Sequence, residues 1–339
     1  MKAGRNQGFA LAAALWLLAG LALVVSLVND AALSSAERVR QLRERADFMR
    51  SSLAARANML YFLTLATPQA AGFERNSAMM LADETPYKFD ALSVLRIQDL
   101  GGLVNFNSFE RPNMERFLLS CGVLPDQVPY LIDALEDYVD EDNLQRVNGA
   151  EKDVYALQGK PLPRNAPLLS VEEVWQVHGW ARYKQTWANN GCVQAVTTFS
   201  GSVSAINLAT APAMVLRAVG VDAASAADLV SARSGGVEKT VERTSAANAL
   251  TGNTGMFGMG GGAVKGDLRV THEHATLPWV MGYTLKYDLN SNDKPWTFSQ
   301  PVISPRPNSP ALPASRALPW PKNGVSSAPN SDTKPALPF

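Results

Sequence analysis

The sequence predicts an α+β fold, and three observations carry that prediction. Residues 9–66 keep a helical pattern without a proline. The middle of the chain repeats a helix-hairpin-helix pattern. The last third contains stretches alternating apolar and polar residues at the two-residue period of strands. The elements then follow in chain order.

The helix opens with FALAAALWLLAGLALVVSLV, Phe9 to Val28, an uncharged run long enough to cross the roughly 30 Å hydrocarbon core of a bilayer. Ahead of it stand only the eight residues MKAGRNQG, with Lys2 and Arg5. A secretory signal peptide, a plain signal anchor and a segment cleaved before its apolar run all fit this layout. Arg38, Arg40, Arg43, Arg45 and Arg50 follow the span, so charge alone leaves orientation ambiguous. Leu33, Val39, Leu42, Ala46, Met49, Leu53 and Leu60 recur at helical spacing with Arg and Glu between them, which continues the helix amphipathically over 29–66 until Thr67-Pro68 ends it.

Ser93 to Val104 reads as strand, turn, strand around Gly101-Gly102. Phe117 to Val123, followed by Val128, Leu131, Ile132 and Leu135, then finds an echo in Val215 to Val221, followed by Ala224, Ala227, Leu229 and Val230. Both read helix, apolar-Gly-apolar hairpin, helix. Such hairpins often grip DNA phosphates, so a periplasmic DNA-binding or DNA-uptake protein is the alternative function. Asp126 and Asp222 stand where a phosphate binder wants Lys or Arg, and 31 basic against 31 acidic residues leave no surplus for neutralising phosphates. No nucleic acid is therefore expected as partner.

Residues 236–266 are rich in Gly, Ser, Thr and Asn and are expected to form a flexible loop. LRVTHEHA, WVMGYTLKYDLN and PWTFSQPVI supply strands within 267–303. From Ser304 to Phe339 the density of proline predicts a disordered tail without a packed element.

The chemistry-bearing residues are few. The chain lacks H-E-x-x-H, a Walker loop, G-x-S-x-G and a dinucleotide-binding glycine fingerprint, so no enzyme is expected. Asp140, Asp142 and Glu151 fall at positions one, three and twelve of an EF-hand, but Leu144 and Gln145 at positions five and six break the match. Asp137 and Asp153 are weaker ligand candidates, and composition alone favours a solvated acidic helix end. His272 and His274 would share one strand face as surface residues, with no third zinc ligand nearby. Trp175, Trp180, Tyr183 and Trp187 read as core, and pairing of Cys121 with Cys192 is left open.

Ile97-Gln98-Asp99-Leu100-Gly101-Gly102-Leu103-Val104-Asn105-Phe106-Asn107 resembles the I-x-D-x-x-G-x-I-N-x-N motif of the type II secretion minor pseudopilin K family. The similarity continues through Asp137 to Asp142, Gly149-Ala150-Glu151, Tyr155, Ser170 to Val174 and Ile206 to Pro212, although Ala209 stands where a second Asn is usual. Gly8-Phe9 resembles a prepilin peptidase site, with Ala13 in place of the usual Glu at the fifth mature position, a departure that suits a tip subunit.

The resemblance implies a leader over 1–8, a membrane helix over 9–28 and a pilin-like core, the long helix against an antiparallel sheet, formed by 67–104 and 267–303. Between the two parts of the core it implies a large all-helical domain inserted over 105–235, bulky enough to clash with subunits stacked above it. It further implies an inner-membrane, single-pass protein with its carboxyl-terminal domain in the periplasm, placed at the pseudopilus tip. The implied partners are prepilin peptidase, the major pseudopilin and the I- and J-type minor pseudopilins. It also implies calcium binding in the insert, at Asp140, Asp142 and Glu151.

Overall fold

The structure, a computed structural model, describes residues 7–76, 78–198, 206–233, 264, 267–287, 296–306 and 317–321. The chain divides into two compact units, Met1–Arg56 and Ala57–Phe339. Helix α1 spans Gln7–Leu65, in one run of 59 residues. In the first unit its segment from Leu11 to Val28 is exposed along its length, an apolar surface suited to lipid. Beyond it, Glu37–Arg40–Glu44 and Asp47–Arg50 ion pairs at three- and four-residue spacing give the helix a solvated face. Leader, loop and tail assignments over residues 1–6, most of 236–266, 307–316 and 322–339 lie outside the described residues.

In the second unit the last turns of α1 contribute Met59, Phe62 and Leu63 to the core. The principal sheet has the order β10-β9-β8-β5-β4-β12. Its strands are β4 (Asp83–Lys88), β5 (Ser93–Asp99), β8 (Asp267–His274), β9 (Trp279–Tyr287), β10 (Trp296–Phe298) and β12 (Leu318–Pro319). β11 (Val302–Pro305) also pairs with β9, so PWTFSQPVI forms a strand broken around Pro301. β5 and β8 pair antiparallel from Ser93↔His274 to Asp99↔Leu268, joining residues far apart in sequence. A second, small sheet that the sequence did not announce comprises β1 (Thr67–Gln69), β2 (Gly72–Arg75) and β3 (Ala78–Leu81).

The insert leaves and re-enters the sheet unit through a buried polar knot built from the family-like motif. Asp99 accepts bonds from Gly101 N (3.0 Å), Asn207 Nδ2 (2.8 Å) and Thr210 Oγ1 (2.9 Å). Asn207 also donates to Ala70 O, and Gln98 to Thr210 O. A Cβ on Gly102 would lie 2.5 Å from Thr210 Oγ1, so only glycine fits. Asn107 bonds Leu168 O and Thr198 O with its amide nitrogen and accepts from Leu168 N, fastening the first turn of the insert. Ala209, the departure from the motif, is fully buried with Ala70, Ala71 and Leu81.

Within the insert, α2 (Arg111–Ser120) and α3 (Val128–Val139) form the first hairpin, and α6 (Ala213–Ala218) and α7 (Ala223–Arg233) the second. Prolines near the start of α2 and α3 sit where the missing N–H is harmless. α4 (Lys152–Leu157), α5 (Lys184–Asn190) and several short 3-10 turns surround an aromatic core. Trp180 and Trp187 are wholly buried, 5.6 Å apart, with Phe106, Phe117 and Trp175 edge-on within 5.8 Å of one or the other, and Trp180 Nε1 donates to Leu131 O. A Cys121–Cys192 disulfide closes the same core.

Strand, turn and strand follow one another around Gly101-Gly102 as the sequence reads: β5 ends at Asp99, a 3-10 turn spans Leu100–Gly102, and β6 (Val104–Asn105) pairs parallel with β7 (Val196–Thr197) at the start of the insert. Two expectations need correction. The tail is not devoid of packed elements, since β11 reaches Pro305 and β12 joins β4 at the sheet edge, where a proline breaks no ladder. His272 is buried, continuing the inward positions Leu268 and Val270 of β8, and burial pushes its imidazole down to about 4.

Candidate functional site

The acidic segment folds into a loop between α3 and α4. Apolar residues Val128, Leu131, Ile132 and Leu135 bury one face of α3 and carry Asp133 and Asp137, one turn apart, into the interior. Asp140 follows the carboxyl end of α3, Asp142 accepts from Leu144 N to shape the turn, and Glu151 stands just before α4 without a side-chain capping bond. One carboxylate oxygen from each of Asp140, Asp142 and Glu151 lies within 4.8 Å of the others. Asp153 lies outside this group and is exposed.

Asp137, with no exposure, is not one of that group and is held by Arg146. It accepts from Arg146 Nη1 at 2.7 Å and from the Arg146 backbone N–H. Arg146 also reaches Asp140 Oδ2 at 2.5 Å and Glu136 Oε2 at 3.0 Å. Burial opposes its charge, but the bonds to Asp140 and Asp137 outweigh burial and hold the guanidinium protonated more firmly than usual. Arg111 pairs with Asp133 and with Glu136. Burial would raise the Asp133 carboxyl, yet its bonds to Arg111 and Asn148 prevail and keep it below the ordinary carboxylate range. Gly149 closes the loop against these groups: a Cβ there would sit 1.9 Å from Asp137 Oδ2.

The two arginines answer only part of the negative charge. Asp140 Oδ1 and both carboxylate oxygens of Glu151 are buried without a hydrogen-bond partner, and Glu151 is only 4% exposed. Burial, then the charges of Asp137, Asp140 and Asp142, push the Glu151 carboxyl above its usual range. Clustered, partnerless carboxylate oxygens fit a hard cation that takes oxygen ligands, and the lack of sulfur or imidazole in the set argues against zinc. Sequence reasoning missed Arg146 and Asp133. The only signal for Arg146 was a lone arginine among acids, and for Asp133 its spacing of four from Asp137.

Gly8 and Phe9, the expected peptidase site, lie in the backbone of α1. The glycines of the two helical hairpins take left-handed backbone, φ +83° at Gly122 and +96° at Gly220, with Asp126 and Asp222 close in sequence.

A family model described as type II secretion system protein K matches residues 95–185, from the middle of β5 through the acidic loop to the start of α5. Over that segment the chain is similar to type II secretion system protein K. The fold is also similar to a solved structure, the GspK-GspI-GspJ complex from the enterotoxigenic Escherichia coli type 2 secretion system. That likeness has a TM-score of 0.52 and 15% identity, and covers 79% of this chain and 100% of the solved one. No curated protein sequence matches the chain. The family segment holds every residue of the acidic loop and the Asp99–Asn107 half of the polar knot.

Proposed function

We propose that this chain is a K-type minor pseudopilin at the tip of the type II secretion pseudopilus, a structural and non-enzymatic part of the export of folded proteins across the outer membrane. The observation that carries the reading is the pairing of the K-type insert with an exposed, apolar amino-terminal helix that has Ala13 within it. In this reading the leader is cut between Gly8 and Phe9, the helix anchors the chain once in the inner membrane, and the second unit lies in the periplasm. Its neighbours are I- and J-type minor pseudopilins, as in the complex that its fold resembles. A subunit without a carboxylate in the apolar run has no charge that a neighbour above must neutralise.

Calcium belongs to the same proposal. Asp140, Asp142 and Glu151 would hold it, and when bound the ion would neutralise the surplus charge at the end of α3. Arg146 orients Asp140 by binding one carboxylate oxygen and leaving the other turned to the cluster. Gly149 lets the loop approach closely enough for Glu151 to join.

Mass measurement of the mature amino terminus tests the assignment, which expects a chain beginning at Phe9. Gly8→Leu should leave the full-length precursor in the membrane and stop secretion, because a side chain at this position obstructs the peptidase. A wild-type chain starting near Ala32, or a Gly8→Leu chain still maturing to Phe9, would contradict it.

A further inference from the structure

Residues 317–321 return to the principal sheet at an edge that would otherwise be open. β12 pairs parallel to β4 through Leu318↔Tyr87 and Pro319↔Lys88, and Trp320 N donates to Lys88 O at 3.3 Å. Among the described residues this is the only parallel pairing in that sheet. The Trp320 ring stands edge-on to Phe62, Tyr87 and Phe89, with centroids 6.3, 6.3 and 5.9 Å away, and Pro321 is buried beside it.

The attachment is nonetheless small. Two residue pairs hold β12, against seven between β5 and β8. Leu318 is 46% exposed, and the buried Trp320 indole N–H has no acceptor. Leu318 also lines a cavity of about 390 Å³ together with the paired Asp83 and Arg233. An open sheet edge invites another strand, and a short proline-containing strap is one way to cover it. A flexible tether gives its end an effective concentration in the millimolar range, so even a weakly binding segment stays seated while attached.

We propose that the β4 edge, with its Phe62–Tyr87–Phe89 cage, is an exchangeable site for one extended Leu-Pro-Trp-Pro segment, filled in cis by residues 318–321 as a removable strap. Backbone pairing with β4 would fix direction, and the cage would select the indole, as in other recognition by strand addition.

The test uses the full-length chain in detergent with a protease recognition sequence placed within residues 307–316, and a labelled peptide spanning residues 314–324. The uncut chain should not bind the peptide. After cutting, the tail fragment should first co-elute with the protein and then be displaced by excess peptide, and a Trp320→Ala peptide should compete at least tenfold less well. An uncut full-length Trp320→Ala chain, whose strap is weakened, should gain peptide binding without any cleavage. The proposal is overturned if the uncut wild-type chain binds the peptide as well as the cut one, if excess peptide leaves the fragment in place, if the alanine peptide competes equally, or if the uncut variant gains no binding.

Discussion

The two helical hairpins of the insert share a backbone but not an electrostatic balance. In the first, Gly122 N bonds Leu119 O and Val123 N bonds Leu118 O; in the second, Gly220 N bonds Arg217 O and Val221 N bonds Leu216 O, all at 3.0–3.1 Å. Their second helices end differently. α7 closes on Arg233, a cation where the helix dipole favours one, and its guanidinium pairs with Asp83 and donates to Leu208 O and Ala211 O. α3 closes on Asp137 and Asp140, acids where the dipole disfavours them, and Arg146 from the next loop supplies only part of the missing charge. The same supersecondary unit is thus closed internally in one copy, while the other has an end suited to an outside cation.

Removing the internal cation should have the largest effect. Arg233→Met leaves buried Asp83 and two carbonyls without their partner, and should cost about 3–5 kcal/mol in denaturant unfolding, with no dependence on calcium. The next effect also separates the copies. Cys121 bridges to Cys192, whereas the matching position of the second hairpin is Val219. Replacing the pair by Val and Ala should lower stability by about 2–4 kcal/mol. Amide exchange should then accelerate at Gly122 and Val123 more than at Gly220 and Val221. A smaller loss, about 1–2 kcal/mol, is expected for Arg146→Ala, because its guanidinium is partly solvated. Saturating calcium should recover part of that loss but none of the Arg233→Met loss.

Much of this contrast was legible in the residues. The echo of apolar-Gly-apolar hairpins and the spacing of Asp140, Asp142 and Glu151 could be read because they depend on local period and loop length. Burial of His272 was legible too, had the alternation Leu268, Val270, His272 been carried one step further. Other features depend on partners distant in the chain. β6 pairs with β7 across the insert, β12 pairs with β4 from the far end of the chain, and strands of two to four residues such as β1–β3 are too short for alternation to distinguish them from loop. Arg146 was missed for a related reason: composition counted it as one charge among many, and only the fold brings it between Asp137 and Asp140.

The uncompensated end of α3 is tested most directly by thermal unfolding of the detergent-solubilised chain with and without calcium, for wild type and for the double variant Asp140→Ala with Asp142→Ala. A cation binding only the folded state at about one hundred times its dissociation constant adds about 2.7 kcal/mol. The wild type should therefore melt at a clearly higher temperature in calcium. Magnesium should raise it much less, because magnesium dehydrates reluctantly. The double variant should remain folded and show no calcium increment. Equal responses of the two proteins to calcium would contradict the cation site and leave the acidic loop as a solvated helix end.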